Sequence, residues 1–169
     1  MPISLYNASI PVLVKSLGNL EAILDKAIAH AAARKIDDAA LVEARLFPDM
    51  FTFARQIRVA TDMAKGAGAR LAGVDIPKFE DNEKTLLELK ARLRKAIDFL
   101  NTLTPAQIDG GEDKAITLTA GKNTFNFKGL DYVQVWVLPN FYFHVTTAYN
   151  LLRHGGVEIG KMDFLGKVQ

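Results

Sequence analysis

The sequence predicts an all-α protein, a four-helix bundle with a small β-hairpin inserted before the last helix. Three observations lead there. Four long segments carry apolar residues at steps of three and four, the period that lines up one face of a helix for burial. One short stretch alternates at steps of two on either side of a glycine-bearing turn, the pattern of a hairpin. No repeat, low-complexity tract or long linker divides the chain, so residues 1–169 read as a single domain.

The first helix carries Leu13, Leu17, Leu20, Leu24 and Ile28 on one stripe. It begins either near Ser4 or after Ser9 and runs to about Arg34. Pro11 falls in its first turn or kinks a longer helix. Ile36 to Phe47 is a connector with a short helix starting after Asp37, and Asp49 is the expected N-cap of the second helix. That helix has the seam Met50, Phe53, Ile57, Ala60, Ala64, Ala67 and Leu71 and ends at Gly73. Its small residues Ala60, Ala64, Gly66, Ala67 and Gly68 predict close approach of a neighbour.

A loop containing Pro77 follows. The third helix is expected from about Asn82 to Leu103, with Leu86, Leu89, Leu93, Ile97 and Leu100 inward. Glu88 and Arg92 stand at i,i+4, a pair worth about 0.2–0.5 kcal/mol. Thr104-Pro105 closes that helix. Ile116–Thr119 and Thr124–Phe127 form the hairpin, and the last helix spans roughly Leu130 to Arg153 before Gly155-Gly156.

Composition narrows the function classes. The formal charge is +2, with acidic and basic residues interleaved, which gives no electrostatic footprint for nucleic acid or an anionic membrane. No apolar run is long enough to span a bilayer, and the N-terminal stretch lacks the pattern of a signal peptide. The absence of cysteine excludes disulfides, thiolate metal sites and a Cys nucleophile, and fits a cytoplasmic location. No phosphate-binding glycine loop, dinucleotide fingerprint or nucleophile elbow is present.

The chemistry-bearing stretch is LPNFYFHVTTAYNLLRHGGVEIGKMDFLG, Leu138 to Gly166. Asn140 and His144 stand one helical turn apart, so both are expected to point at the same space. His144 reads as a metal ligand or general base, or as an interior histidine satisfied by hydrogen bonds. Pro139 has no amide hydrogen for the Val135 carbonyl and is expected to bend the helix beside Asn140. Gln56 flanks the seam of the second helix and reads as a boundary residue. Tyr142 belongs to an aromatic-rich set with Tyr132, Trp136, Phe141, Phe143 and Tyr149, part core and part pocket or subunit interface. Arg153 and His154 complement the dipole at the helix end, and His30 is too distant in sequence for a ligand spacing. Asp62 reads as a surface residue.

Three segments carry a family resemblance: MPISLYNAS, FPDMFTFARQIRVATDMAKGAGARLAG and the Leu138–Gly166 ending. Over nearly its whole length the chain resembles a family of uncharacterised bacterial proteins within the DinB/YfiT-like superfamily. The resemblance implies a four-helix bundle, often a homodimer, with a metal site in the better-known members. That site uses one histidine of the second helix and an H-x-x-x-H pair on the last. His144 stands nine residues before Arg153 of Leu-Leu-Arg and matches the second member of the pair. The first member falls on Asn140 and the second-helix histidine on Gln56, two departures that leave one imidazole of three.

The expectation is therefore a polar interior pocket lined by Gln56, Asn140, His144 and Tyr142 that takes an unidentified small molecule. No cofactor is assigned; a divalent metal, zinc or nickel on His144, is the candidate the resemblance implies. The alternatives are a metal-dependent hydrolase or thiol transferase using His144, and a dimeric interaction module without an active site.

Overall fold

The computed structural model describes residues 3–167. Met1 and Pro2, which open the MPISLYNAS stretch, and Val168 and Gln169 lie outside the described residues. Among the described residues four long helices pack in a ring: α1 (Ile10–Arg34), α3 (Phe53–Ala72), α4 (Leu86–Asn101) and α7 (Leu138–His154). α1 packs on α4, α4 on α3, α3 on α7 and α7 on α1, so each inward stripe meets two neighbours. The short helices are α2 (Asp38–Val42), α5 (Pro105–Ile108), α6 (Gly129–Asp131) and α8 (Lys161–Leu165). Strands β1 (Ala115–Ala120) and β2 (Asn123–Lys128) pair antiparallel, with Ala120 opposite Asn123. Gly121-Lys122 is thus the two-residue turn of an all-α bundle's inserted hairpin.

The inward stripes are those the periodicity picks out. Leu13, Leu17, Leu20 and Leu24 of α1 are buried, as are Leu86, Leu89, Leu93, Ile97 and Leu100 of α4. Ile28 is only half-buried, and Ala27 takes the sealed position beside it. α1 starts after Ser9, with Pro11 in its first turn where a missing amide hydrogen costs nothing. Gly68 is where the small residues of α3 matter most: a Cβ there would sit 2.7 Å from Leu103 and 2.8 Å from Leu100. Gly73 ends α3 at φ 72°, a left-handed position that glycine adopts without strain.

Four expectations are corrected. The cap of α3 is Thr52, whose hydroxyl accepts from the Arg55 amide at 3.3 Å, not Asp49. Asp49 lies in a turn closed by the Met50 amide on the Phe47 carbonyl, so Met50 precedes the helix it was expected to open. α4 starts at Leu86, because Thr85 and Glu88 form a reciprocal capping box. Glu88 therefore accepts from the Lys84 and Thr85 amides and does not pair with Arg92. Asp62 keeps the surface position expected of it, its side chain 44% exposed, and pairs there with Arg92 at 2.8 Å and Lys65 at 3.1 Å.

The disturbance expected at Pro139 takes a definite form. Residues Tyr132–Val137 are a π-helix between α6 and α7, and the Leu138 amide donates five residues back to Val133. The last helix thus runs without a break from Gly129 to His154, with one widened stretch just before the proline.

Candidate functional site

Two helices carry the site. Gln56 lies one turn inside α3, held there by the Thr52 cap, and its side chain is 1% exposed. His144 lies in the middle of α7, the helix packed against α3, and is 8% exposed. Across that contact His144 Nδ1 and Gln56 Oε1 are 2.7 Å apart. An amide oxygen only accepts, so in this arrangement Nδ1 carries the proton and donates it. The tautomer leaves Nε2 with a free lone pair. Every sealed side-chain nitrogen and oxygen among the described residues has a partner, and Nε2 has none among them, so Nε2 is not sealed.

Aromatic rings fix the imidazole from two sides. Phe51 lies nearly parallel to it at 6.3 Å, and Phe143 meets it edge-on at 5.2 Å. The Arg55 guanidinium sits over the Phe51 ring, 4.0 Å from its centroid. Burial pushes the His144 pKa below its ordinary value, because the charged ring loses hydration and gains no carboxylate partner. The site therefore holds a neutral imidazole at pH 7, able to accept a proton or a hydrogen bond through Nε2.

The structure brings together two of the four residues picked from sequence. Gln56 and His144 meet, and Gln56 proves interior rather than boundary. Asn140 is half-buried, and its Nδ2 donates to the Trp136 carbonyl at 2.7 Å, so it serves the backbone of the π-helix. Tyr142 lies two residues before His144, well round the helix. It lines a groove of about 510 Å³ with Val12, Lys15, Asn19 and Phe164, between α1, α7 and α8. Phe51 is the partner that sequence reasoning missed, and Phe143 was named only as one of an aromatic set, not as the ring beside His144. The usable signal was the position of Phe143 beside the histidine and of Phe51 just before the α3 cap.

The donor set was tested against the metal that the superfamily resemblance implies. Gln56 Oε1 is taken by Nδ1 and the Asn140 amide by a main-chain carbonyl, which leaves one imidazole nitrogen. Among the described residues no three His, Cys, Asp or Glu side chains converge into a cage. One nitrogen donor does not fit a tight divalent-metal site.

A crystal structure of a DinB family member protein from Shewanella denitrificans is similar to this chain, at 38% identity. The match covers 97% of this chain and 93% of that one, with a TM-score of 0.87. The ring of four helices and the hairpin before the last of them, together with that match, define a DinB-like bundle. Residues 5–165 match the model of a family described as Domain of unknown function (DUF1993), and the chain belongs to that family. No curated protein matches it.

Proposed function

We propose that the protein binds a small molecule at His144, in a pocket that has lost the other imidazoles of a superfamily metal site. The observation that carries this reading is the 2.7 Å contact between His144 Nδ1 and Gln56 Oε1. It uses the glutamine to orient the ring and leaves Nε2 as a single free acceptor on an imidazole packed beside Phe51 and Phe143. A ligand with one donor and an apolar body is what such a site takes. The pocket in this reading is carried by Gln56, His144, Phe51 and Phe143, without Asn140 and Tyr142. The cysteine-free composition supports a cytoplasmic location for it.

One observation favours a second reading, a metal-dependent hydrolase or thiol transferase. A metal-binding imidazole also has its other ring nitrogen hydrogen-bonded and its free nitrogen open, as His144 has here. The two readings separate in one set of measurements on protein purified without added metal. Elemental analysis and thermal-shift screening against a panel of small molecules that join one hydrogen-bond donor to an apolar body are run on wild type, His144→Ala and Gln56→Leu. The binding reading expects melting shifts that both substitutions abolish. Zinc or nickel at one equivalent, lost on His144→Ala, overturns it in favour of the enzyme. Shifts indifferent to His144→Ala overturn both.

A further inference from the structure

A separate cavity of about 200 Å³ lies between α3, the hairpin and the π-helix. Arg70 and Met63 of α3, Leu118 of β1, and Tyr132 and Trp136 of the π-helix line it, and none of them belongs to the His144 pair. We propose that this cavity is a binding site for a small carboxylate with an apolar body, gripped by the Arg70 guanidinium and seated against Trp136.

Arg70 is half-buried yet makes no ion pair among the described residues. Its one side-chain hydrogen bond runs from Nη1 to the Tyr132 hydroxyl at 3.2 Å. Tyr132 is fully buried, and burial raises its pKa, so the phenol stays neutral and fixes the guanidinium without neutralising it. The other Arg70 N–H groups have no partner among the described residues, and none is sealed. A planar fork of free donors in a concave site is the arrangement that matches a carboxylate.

The rest of the cavity suits the remainder of such a ligand. Trp136 is held by Phe125 at 4.7 Å and Phe127 at 5.7 Å, and Leu118 and Met63 add apolar wall. Asp62 also reaches the lining, but it lies about two turns from Arg70 on the same helix and is paired with Arg92 and Lys65. Lys114 adds positive charge nearby, donating to the Arg70 and Leu71 carbonyls. Two features of the backbone serve the site. Tyr132 and Trp136 both stand in the π-helix, a widened turn that recurs at functional sites. Gly66 leaves room for the guanidinium to lie back along α3, since a Cβ there would come within 2.7 Å of Arg70 Nη1.

Trp136 is the chain's one tryptophan, so its fluorescence reports on this cavity alone. Cyclohexanecarboxylate and benzoate are titrated into the full chain, with cyclohexanecarboxamide and benzamide as neutral counterparts. The expected result is a saturable emission change with the acids, and binding at least about tenfold weaker for the amides. Arg70→Met and Arg70→Lys each weaken acid binding by about tenfold or more, while His144→Ala leaves it unchanged. Gly66→Ala also weakens it, in a helix that alanine favours, and decides the matter if the arginine variants do not fold. No saturable change below about 10 mM, tenfold weaker than a millimolar site, overturns the proposal. So does equal affinity for acid and amide, or unchanged affinity in the folded arginine variants.

Discussion

At the scale of single residues, one hydrogen bond sets the chemistry of His144. Removing its partner strands the Nδ1 proton in an apolar setting, so Gln56→Leu is expected to cost about 1–3 kcal/mol in urea unfolding. Replacing both residues, as Gln56→Leu with His144→Phe, should recover part of that loss; full additivity of the two losses would show that the contact contributes nothing. The same residue gives a pH signature. Its pKa is lowered in the folded chain by burial, so below about 6.5 the unfolded state binds the proton more readily. Stability contributed by the neutral ring is then complete above the unfolded value and is lost as pH falls towards the folded one. Urea midpoints at about pH 7.5 and pH 5.5 should differ more in wild type than in His144→Phe, and an equal difference would refute the shift. How far these residues were legible follows from what sequence encodes. Periodicity turns His144 inward, whereas Gln56 flanks its seam and reads as a boundary residue, so its burial at 1% exposure comes from packing against α7. Asn140 has the same phase as His144, but the carbonyls of a π-helix compete for its amide, and no periodicity reveals that demand. Arg70 and Tyr132 are 62 residues apart and meet only through tertiary packing.

At the scale of elements, the long helices were legible because their stripes persist over many turns, whereas α5 and α8 are too short to show a period. The π-helix was not legible either, since one widened stretch leaves the surrounding pattern intact. The loop between α3 and α4 shows a choice between two uses of one side chain. Glu88 caps two free amides at the start of α4, which outweighs an exposed i,i+4 pair with Arg92. Arg92, its side chain 2% exposed, then ties the loop down: it reaches Glu83 and Asp62 at 2.8 Å, the Glu80 carbonyl at 3.0 Å and Thr61 at 2.7 Å. Burial acts to raise the Glu83 carboxyl, and the hydrogen bonds from Arg92 and Arg58 overcome it and hold the group below its usual range. Arg58 still faces Glu83 when Arg92 is gone, so Arg92→Met is expected to cost about 2 kcal/mol rather than the full penalty of an orphaned buried charge. Thr85→Ala, which removes the cap alone, should cost about 1 kcal/mol. Denaturation of both variants checks the order; an Arg92→Met loss below about 0.5 kcal/mol would mean the loop is held by other contacts.

At the scale of the whole molecule, the closed ring of helices leaves one side of the last helix without a neighbour among the described residues. Val135 is 65% and Phe143 59% exposed, with Pro139 exposed between them at i+4 steps. Three apolar side chains in line on a helix surface call for a partner more than scattered ones do. We propose that a second copy of the chain covers them, in keeping with the homodimer that the superfamily resemblance implies. A standard interface covers about 800 Å² per partner, more than this stripe supplies, so it must extend across Phe51 and the neighbouring loop. Phe51 and Phe143 are also the rings that pack beside His144, whose Nε2 reaches solvent. Assembly would then cover the solvent-facing edge of His144 and, on the binding reading proposed above, couple its affinity to the oligomeric state. Light scattering should give twice the chain mass for wild type, and the variant carrying Val135→Glu and Phe143→Glu should be monomeric, with an unchanged helical spectrum and weakened binding at His144. A wild-type monomer over the whole dilution series would remove the dimer, and with it the reason for those two side chains to stay exposed. A monomeric double variant that binds as well as wild type would keep the dimer but separate it from the pocket.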